Sequence, residues 1–145
     1  MFDKVITVFN YHAKTGYWYP SVIRGADVET VDAAHATTSA GTVNSGGVEI
    51  IVTCSSEKIV RTDAGNKSYV GAKAFSKNDA PAGLITFAPE CDFIYVGAWT
   101  SAAPLSDEDY DEGLYHHLNN EYDGVYMIHT VAFYDLLPHF EIGGD

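Results

Sequence analysis

Basic residues, cysteines and long apolar runs are all scarce in this sequence. Eight Lys and Arg stand against twenty Asp and Glu, giving a formal charge of −12. A field of that sign repels phosphate backbones, so sequence-specific binding of DNA or RNA is not expected. A wall that lines a DNA channel is compatible with it, since repulsion there prevents sticking, and the same charge keeps subunits apart and in solution. Two cysteines, Cys54 and Cys91, are too few for a disulfide framework. No stretch approaches 18 apolar residues, so no membrane-spanning helix is expected. The opening MFDKVITVF has neither a basic n-region nor an apolar h-region. The expectation is a chain made in a reducing cytoplasm, with both cysteines buried as small apolar groups.

Aromatic residues are plentiful. Ten Tyr, seven Phe and two Trp make 13% of a chain of 145 residues, which is the size of one domain spanning 1–145. Tyrosine combines contact area with a hydroxyl that can stay wet, so it suits half-buried strands and interfaces.

Periodicity and turn residues order the chain. Lys4–Tyr11 is rich in β-branched and aromatic residues and reads as a strand, followed by turn chemistry at His12–Gly16. Gly16–Gly25 is extended again, with Pro20 marking an edge, bulge or break because it has no N–H to donate. Ala26–Asp32 continues as a short strand. Ala33–Gly47 is small, hydroxylated and glycine-rich, and is expected to be a long mobile loop ordered against a partner. Val48–Cys54 is a central strand that Lys58–Val60 extends past a bulge; Asp63–Asn66 is a turn, and Ser68–Phe75 is ambiguous. Leu84–Ala88 and Asp92–Trp99 read as strands joined by a hairpin-length link. Ser106 is placed to cap a helix over about 106–121, with Asp107, Glu108 and Asp109 on its positive end. Tyr110, Leu114, Leu118 and Tyr122 recur every fourth residue as its apolar face. Gly124–Asp135 is a long strand, apolar on both faces, and His139–Ile142 closes the chain. Together these give a mainly β single domain, a barrel or sandwich with one packed helix.

Sites for chemistry are hard to find. Asp107, Asp109 and Asp111 open like a calcium loop, but Glu112 and Leu118 stand where Gly and Glu are required. His116 and His117 lack the i,i+4 pairing of a zinc motif, and salt bridges of Glu112 with His116 and of His117 with Glu121 are the simpler expectation. His129 is expected in or near the core. No nucleophile elbow and no phosphate-binding glycine loop occurs. No catalytic residue, metal site or cofactor is therefore expected, and the chain reads as a non-enzyme.

The segments KVITVFNYH, GYWYPSVIRGADV, DFIYVGAWTS and the run from PLSDEDYDEG to LLPHFEIGG resemble a family of small proteins from the head–tail structural module of tailed phages and prophages of Gram-positive bacteria. The likeness is most specific from Asp92 to Ile142. It implies a virion structural protein, a head-closure (stopper) or connector subunit of the neck. It implies a homo-oligomeric ring, a hexamer, between portal or adaptor and tail-side neck proteins, with packaged DNA near its channel. Tail-completion and capsid-decorating roles are alternatives within that class. From another class comes a carbohydrate- or protein-binding module that uses Tyr17, Trp18 and Tyr19 as a stacking platform. The contact residues expected on these readings are Tyr17, Trp18 and Tyr19 with Thr37, Thr38, Ser39, Gly41, Thr42, Asn44 and Ser45 of the long loop.

Overall fold

The computed structural model describes residues 2–31 and 47–145. The loop contacts expected at Thr37, Thr38, Ser39, Gly41, Thr42, Asn44 and Ser45 lie outside the described residues. Six strands close into a barrel: β1 (Lys4–His12), β7 (Phe93–Tyr95), β9 (Val125–Tyr134), β10 (His139–Gly144), β3 (Gly47–Thr53) and β2 (Tyr17–Val31), which returns to β1. Every pairing around the ring is antiparallel. Closure gives each of the six strands two strand neighbours, which is how a barrel disposes of long edges.

One long strand makes the corner. The first part of β2 pairs with β1, and from Asp27 onward it pairs with β3. The register skips Gly25, because Lys4 faces Ala26 while Val5 faces Arg24. Gly25 has φ +77°, the left-handed conformation of a glycine bulge, which kinks and twists the strand so that it can serve both neighbours. Pro20 sits inside β2 opposite Phe9, and on the other side of β2 the short strand β8 (Leu105–Ser106) reaches only Tyr17 and Trp18. The proline's missing donor thus falls on an edge, one of the three settings expected for it.

Cys54–Asp92 carries a separate cap. A hairpin of β4 (Ile59–Thr62) and β5 (Gly65–Tyr69) turns at Asp63–Ala64, and β6 (Leu84–Ile85) adds in parallel beside β5. Helix α1 (Ala72–Lys77) stands between them and resolves the ambiguous stretch into a strand end and a helix. The segments on either side of Pro89–Cys91 are not a hairpin pair, since β6 belongs to the cap and β7 to the barrel.

Two apolar cores result. Ile6, Val8, Ile23, Val48, Ile50, Val52, Ile94, Ile128, Phe140 and Ile142 fill the lumen, and Val60, Ile85 and Phe87 of the cap close it. Outside the β1–β7–β9 wall a second core gathers Phe9, Trp18, Phe93, Leu114, Leu118 and Val125. It is covered by α2 (Leu114–Glu121). Leu114 and Leu118 are fully buried, at about 1.5–3 kcal/mol each, whereas Tyr122 of the expected apolar face is exposed.

The helical stretch starts later than its sequence signals suggest. Ser106 does cap, accepting from the Glu108 amide, but what it caps is a single 3-10 turn at Asp107–Asp109. Glu112 (φ +59°) and Gly113 (φ +92°) then break the path before α2 begins. Asp107 Oδ1 accepts from both the Leu114 amide (2.9 Å) and Trp18 Nε1 (2.7 Å). A strand tryptophan and a turn carboxylate therefore fix the helix start together. Glu112 lies outside the helix, so the expected i,i+4 pair with His116 has no helical register to rest on.

Candidate functional site

Asp135–Pro138 joins β9 to β10, with Tyr134 and His139 as the last paired residues. A four-residue connection of this kind favours glycine or asparagine wherever φ turns positive. Here the position is Leu137, with φ +56°. A bulky L-residue in that region costs roughly 1–2 kcal/mol. Neither Leu137 nor its neighbour recovers this through burial, since Leu136 is 85% and Leu137 82% exposed.

The tip is nevertheless held in place. The Pro138 carbonyl accepts from the Cys54 amide (3.2 Å). His139 Nδ1 donates to the Leu137 carbonyl (2.7 Å), its Nε2 faces Glu141 Oε2 (2.9 Å), and its ring stacks on Tyr134. Both ring nitrogens meet acceptors, first the Leu137 carbonyl and then the Glu141 carboxylate, and this raises the His139 pKa. The leucines are displayed by a supported loop.

A groove of about 380 Å³ opens beside the tip, lined by Phe2, Ile51, Thr53, Leu137, Pro138 and His139. Ile51 faces it because strand alternation sends Ile50 and Val52 into the lumen. Asp27 and Glu141 flank it, directly across from Ile51 on the neighbouring strands.

Polar groups have collected instead inside the barrel, at the end toward the cap. Asn10, His12, Ser21, Lys67 and Asp92 are all buried. Asn10 Nδ2 donates to the Thr86 carbonyl (2.6 Å) and to Asp92 Oδ2 (2.8 Å). Asp92 also accepts from the Tyr11 amide (3.0 Å) and the Ala88 amide (3.0 Å). Burial pushes its carboxyl up to about 6 against those stabilising hydrogen bonds. His12 Nε2 donates to the Asn78 carbonyl (2.7 Å), which ties the cap to β1. Lys67 Nζ donates to Ser21 Oγ (2.7 Å), and burial lowers its pKa. These contacts fasten the cap across the barrel end, and each named group has a protein partner.

His129, expected near the core, sits instead at a half-exposed bulge of β9, where the register skips from Thr130 to Ile128. Its ring nitrogens meet Glu90 Oε1 (2.5 Å) and the Asp145 carboxylate, in that order of effect, and its pKa is raised. The arrangement joins the turn before β7 to the residue after β10. Among the described residues no group of three or more His, Cys, Asp and Glu is placed to hold a metal ion.

The expected stacking platform is not assembled. Trp18 is buried in the outer core with its indole N–H on Asp107, Tyr17 is exposed, and Tyr19 packs edge-on to His12. Strand alternation places Tyr17 and Tyr19 on the face opposite Trp18. Both cysteines are free thiols. Both were expected to be buried; Cys54 is only half-buried, and Cys91 is exposed within the Ala88–Asp92 turn, beside the buried Asp92. Partial burial of the Cys91 thiol, then the neighbouring Asp92 carboxylate, push it up to about 11, so it is a poor nucleophile. The tip itself escaped notice in the sequence. Its one signal is Leu-Leu-Pro in a hairpin loop, where turn chemistry calls for Gly, Asn or Asp.

Fold and site together define a small closed β-barrel with an inserted cap and an apolar hairpin tip. The chain belongs to the family described as "Family of unknown function (DUF6751)", whose model matches residues 1–145. No curated protein and no solved structure matches it.

Proposed function

We propose that this protein is a non-catalytic assembly subunit, and specifically a virion protein of the head–tail connection in a tailed phage. The observation that carries the assembly reading is the tip: two nearly fully exposed leucines, one in an unfavourable backbone conformation, held rigidly by His139 and Cys54. An apolar feature that is displayed and supported on an acidic barrel fits a protein that meets other proteins. The phage assignment rests on the resemblance of Asp92–Ile142 and of the N-terminal segments. On this reading the chain forms a homo-oligomeric ring, a hexamer, between portal or adaptor and tail-side proteins. Its charge of −12 suits a lumen that passes DNA without retaining it. Electron microscopy of purified particles that carry the chain tests this, with an epitope tag and antibody to locate it. Labelling at the head–tail junction is the expected result. Particles of normal form and infectivity that lack the chain altogether would overturn it.

A further inference from the structure

We propose that the groove at the β9–β10 tip, with the strand face beside it, docks a segment of another protein that carries an apolar side chain and, a few residues along, Lys or Arg. This rests on the assembly reading above and names the chemistry of the partner.

Strand register builds the surface. Val48, Ile50 and Val52 of β3 enter the lumen, so Glu49, Ile51 and Thr53 face outward. Residues directly opposite on neighbouring strands share a face. Ile51 therefore lies between Asp27 of β2 and Glu141 of β10, and further along the same face Glu49 lies opposite Glu29. In the other direction Thr53 meets His139, beside the tip. The face thus runs from an apolar end, where Leu136, Leu137 and Phe2 are exposed, to a carboxylate end.

The carboxylate end is poorly matched within the chain. Glu141 is turned to His139, which leaves Asp27, Glu29 and Glu49. Glu29 and Glu49 are both exposed, and like charges directly opposite on paired strands repel. Among the described residues the Lys and Arg ion pairs are Lys14–Asp79 and Arg24–Asp63, and neither includes a carboxylate of this face. A cation set between Glu29 and Glu49 turns that repulsion into attraction. In an extended segment, alternate side chains on one face are about 6.6 Å apart, the same step that separates Ile51 from Glu49 on β3. One segment can therefore lay an apolar side chain in the groove and a basic one between the glutamates.

Charge decides among occupants. A second copy at −12, a nucleic acid and an anionic lipid surface all bring negative charge to a negative face. A basic segment is attracted to it. Because β2, β3 and β10 each already have two strand neighbours, recognition here runs through side chains rather than strand addition.

The probe is a labelled synthetic peptide repeating Leu-Ser-Lys-Ser, followed by fluorescence anisotropy against the purified chain. Saturable binding is expected, with a dissociation constant of order micromolar to millimolar, weaker at high salt. A Ser-Ser-Lys-Ser peptide of equal charge should bind at least about tenfold more weakly, and Leu136→Asp should cost as much. Glu29→Gln with Glu49→Gln should weaken binding about fivefold or more. Glu108→Gln with Asp109→Asn removes the same charge from the exposed turn before α2 and should change it less than about twofold. All these positions are exposed, so circular dichroism should be unchanged.

No saturable binding, equal binding of the Ser-Ser-Lys-Ser peptide, or equal weakening by the two charge pairs overturns the proposal. Self-association of the free chain that Leu136→Asp abolishes would put a second copy on this face, and retention on anionic vesicles would put lipid there; either overturns it too. In particles, Glu29→Lys with Glu49→Lys should cut incorporation at least about tenfold. Full incorporation of that variant sinks this inference and leaves the assembly reading intact. A chain that binds the peptide as expected but is absent from particles sinks the phage reading and leaves the docking face.

Discussion

The cap end of the barrel and the β9–β10 tip invert the usual distribution of polarity in opposite ways. At the cap end, Asn10, His12, Ser21, Lys67 and Asp92 are buried. At the tip, Leu136 and Leu137 stand almost wholly in water. Both arrangements are unfavourable unless a partner is supplied. The buried groups find theirs within the chain: Asn10 and Asp92 in each other and in the backbone of Tyr11, Thr86 and Ala88, His12 in Asn78, Lys67 in Ser21. The leucine side chains find little. The comparison separates two meanings of an apparent misplacement. The interior network holds two pieces of one molecule together, whereas the tip is supported by its own chain and left uncovered by it.

Removing the centre of the interior network should have the largest effect. Asp92→Ala leaves the Tyr11 and Ala88 amides and Asn10 Nδ2 short of an acceptor in a buried site. At about 1–3 kcal/mol for each orphaned group, without full additivity, the loss should be about 4 kcal/mol by urea denaturation. A loss under about 1 kcal/mol would mean that water reaches the network and that the cap end, like the tip, is open to solvent.

Acidity tests the same network more gently. The folded Asp92 carboxyl titrates near 6, above its unfolded value of about 3.9. A raised folded value means that the contribution is fully present below about pH 4 and is lost as pH rises through about 6. Stability should therefore fall by up to about 3 kcal/mol across that window. His129 and His139 are also raised, so their smaller, half-exposed contributions are present below about pH 6.5 and fade as pH climbs through their folded values. Asp63 and Asp79 are lowered by Arg24 and Lys14 and act oppositely, with stability lost as pH falls, but they are exposed and count for little. Melting temperature against pH should decline from about 4 to about 6 in the wild type. Asp92→Asn is neutral at every pH and should flatten that part of the curve, whatever it does to absolute stability. An unchanged slope would exclude Asp92 as its source.

Lys67 is the least well matched member of the interior set, a buried amine whose hydrogen bond goes to a hydroxyl rather than a carboxylate. Lys67→Met keeps the chain length and removes the desolvated charge. It should raise stability by about 1–2 kcal/mol at neutral pH. Destabilisation instead would show that the Ser21 contact is what seats β5 on β2.

The strands were largely legible. Alternation and β-branched runs located β1, β3 and β9; the lumen and the outer core account for the two apolar faces of β9 only near its start, whereas beyond the bulge at His129 Val131 and Phe133 turn inward and Thr130, Ala132 and Tyr134 are exposed. What sequence reading missed depends on contacts between distant residues. Ser106 and the acidic run after it look the same whether they open an α-helix or a 3-10 turn. The deciding interaction is Trp18 Nε1 on Asp107, 89 positions away. The Asn10–Thr86 and Asn10–Asp92 contacts span 76 and 82 positions, so nothing local in either segment announces a polar interior. Tyr17, Trp18 and Tyr19 were legible as a conspicuous trio, but strand alternation divides them between two faces. The tip was the reverse: ordinary in composition, and informative only once φ at Leu137 and the exposure of both leucines were known.

The smallest expected effect bears most directly on what the tip is for. Glycine adopts positive φ without the clash that a leucine meets, so Leu137→Gly removes an unfavourable backbone term of roughly 1–2 kcal/mol. Against this, glycine gives the unfolded chain more freedom, at a cost of about 0.4–1 kcal/mol. Little burial is lost, because the leucine is 82% exposed. The isolated chain should gain about 0.5–1 kcal/mol in urea denaturation. On the assembly reading, incorporation of the same variant into particles should fall, since one of the two leucines is gone. A side chain that served the fold of its own chain would give the opposite pair of results: a less stable chain and unchanged incorporation. Gain in stability with loss of incorporation would establish that Leu137 is held in an unfavourable conformation for the sake of a contact outside its own chain.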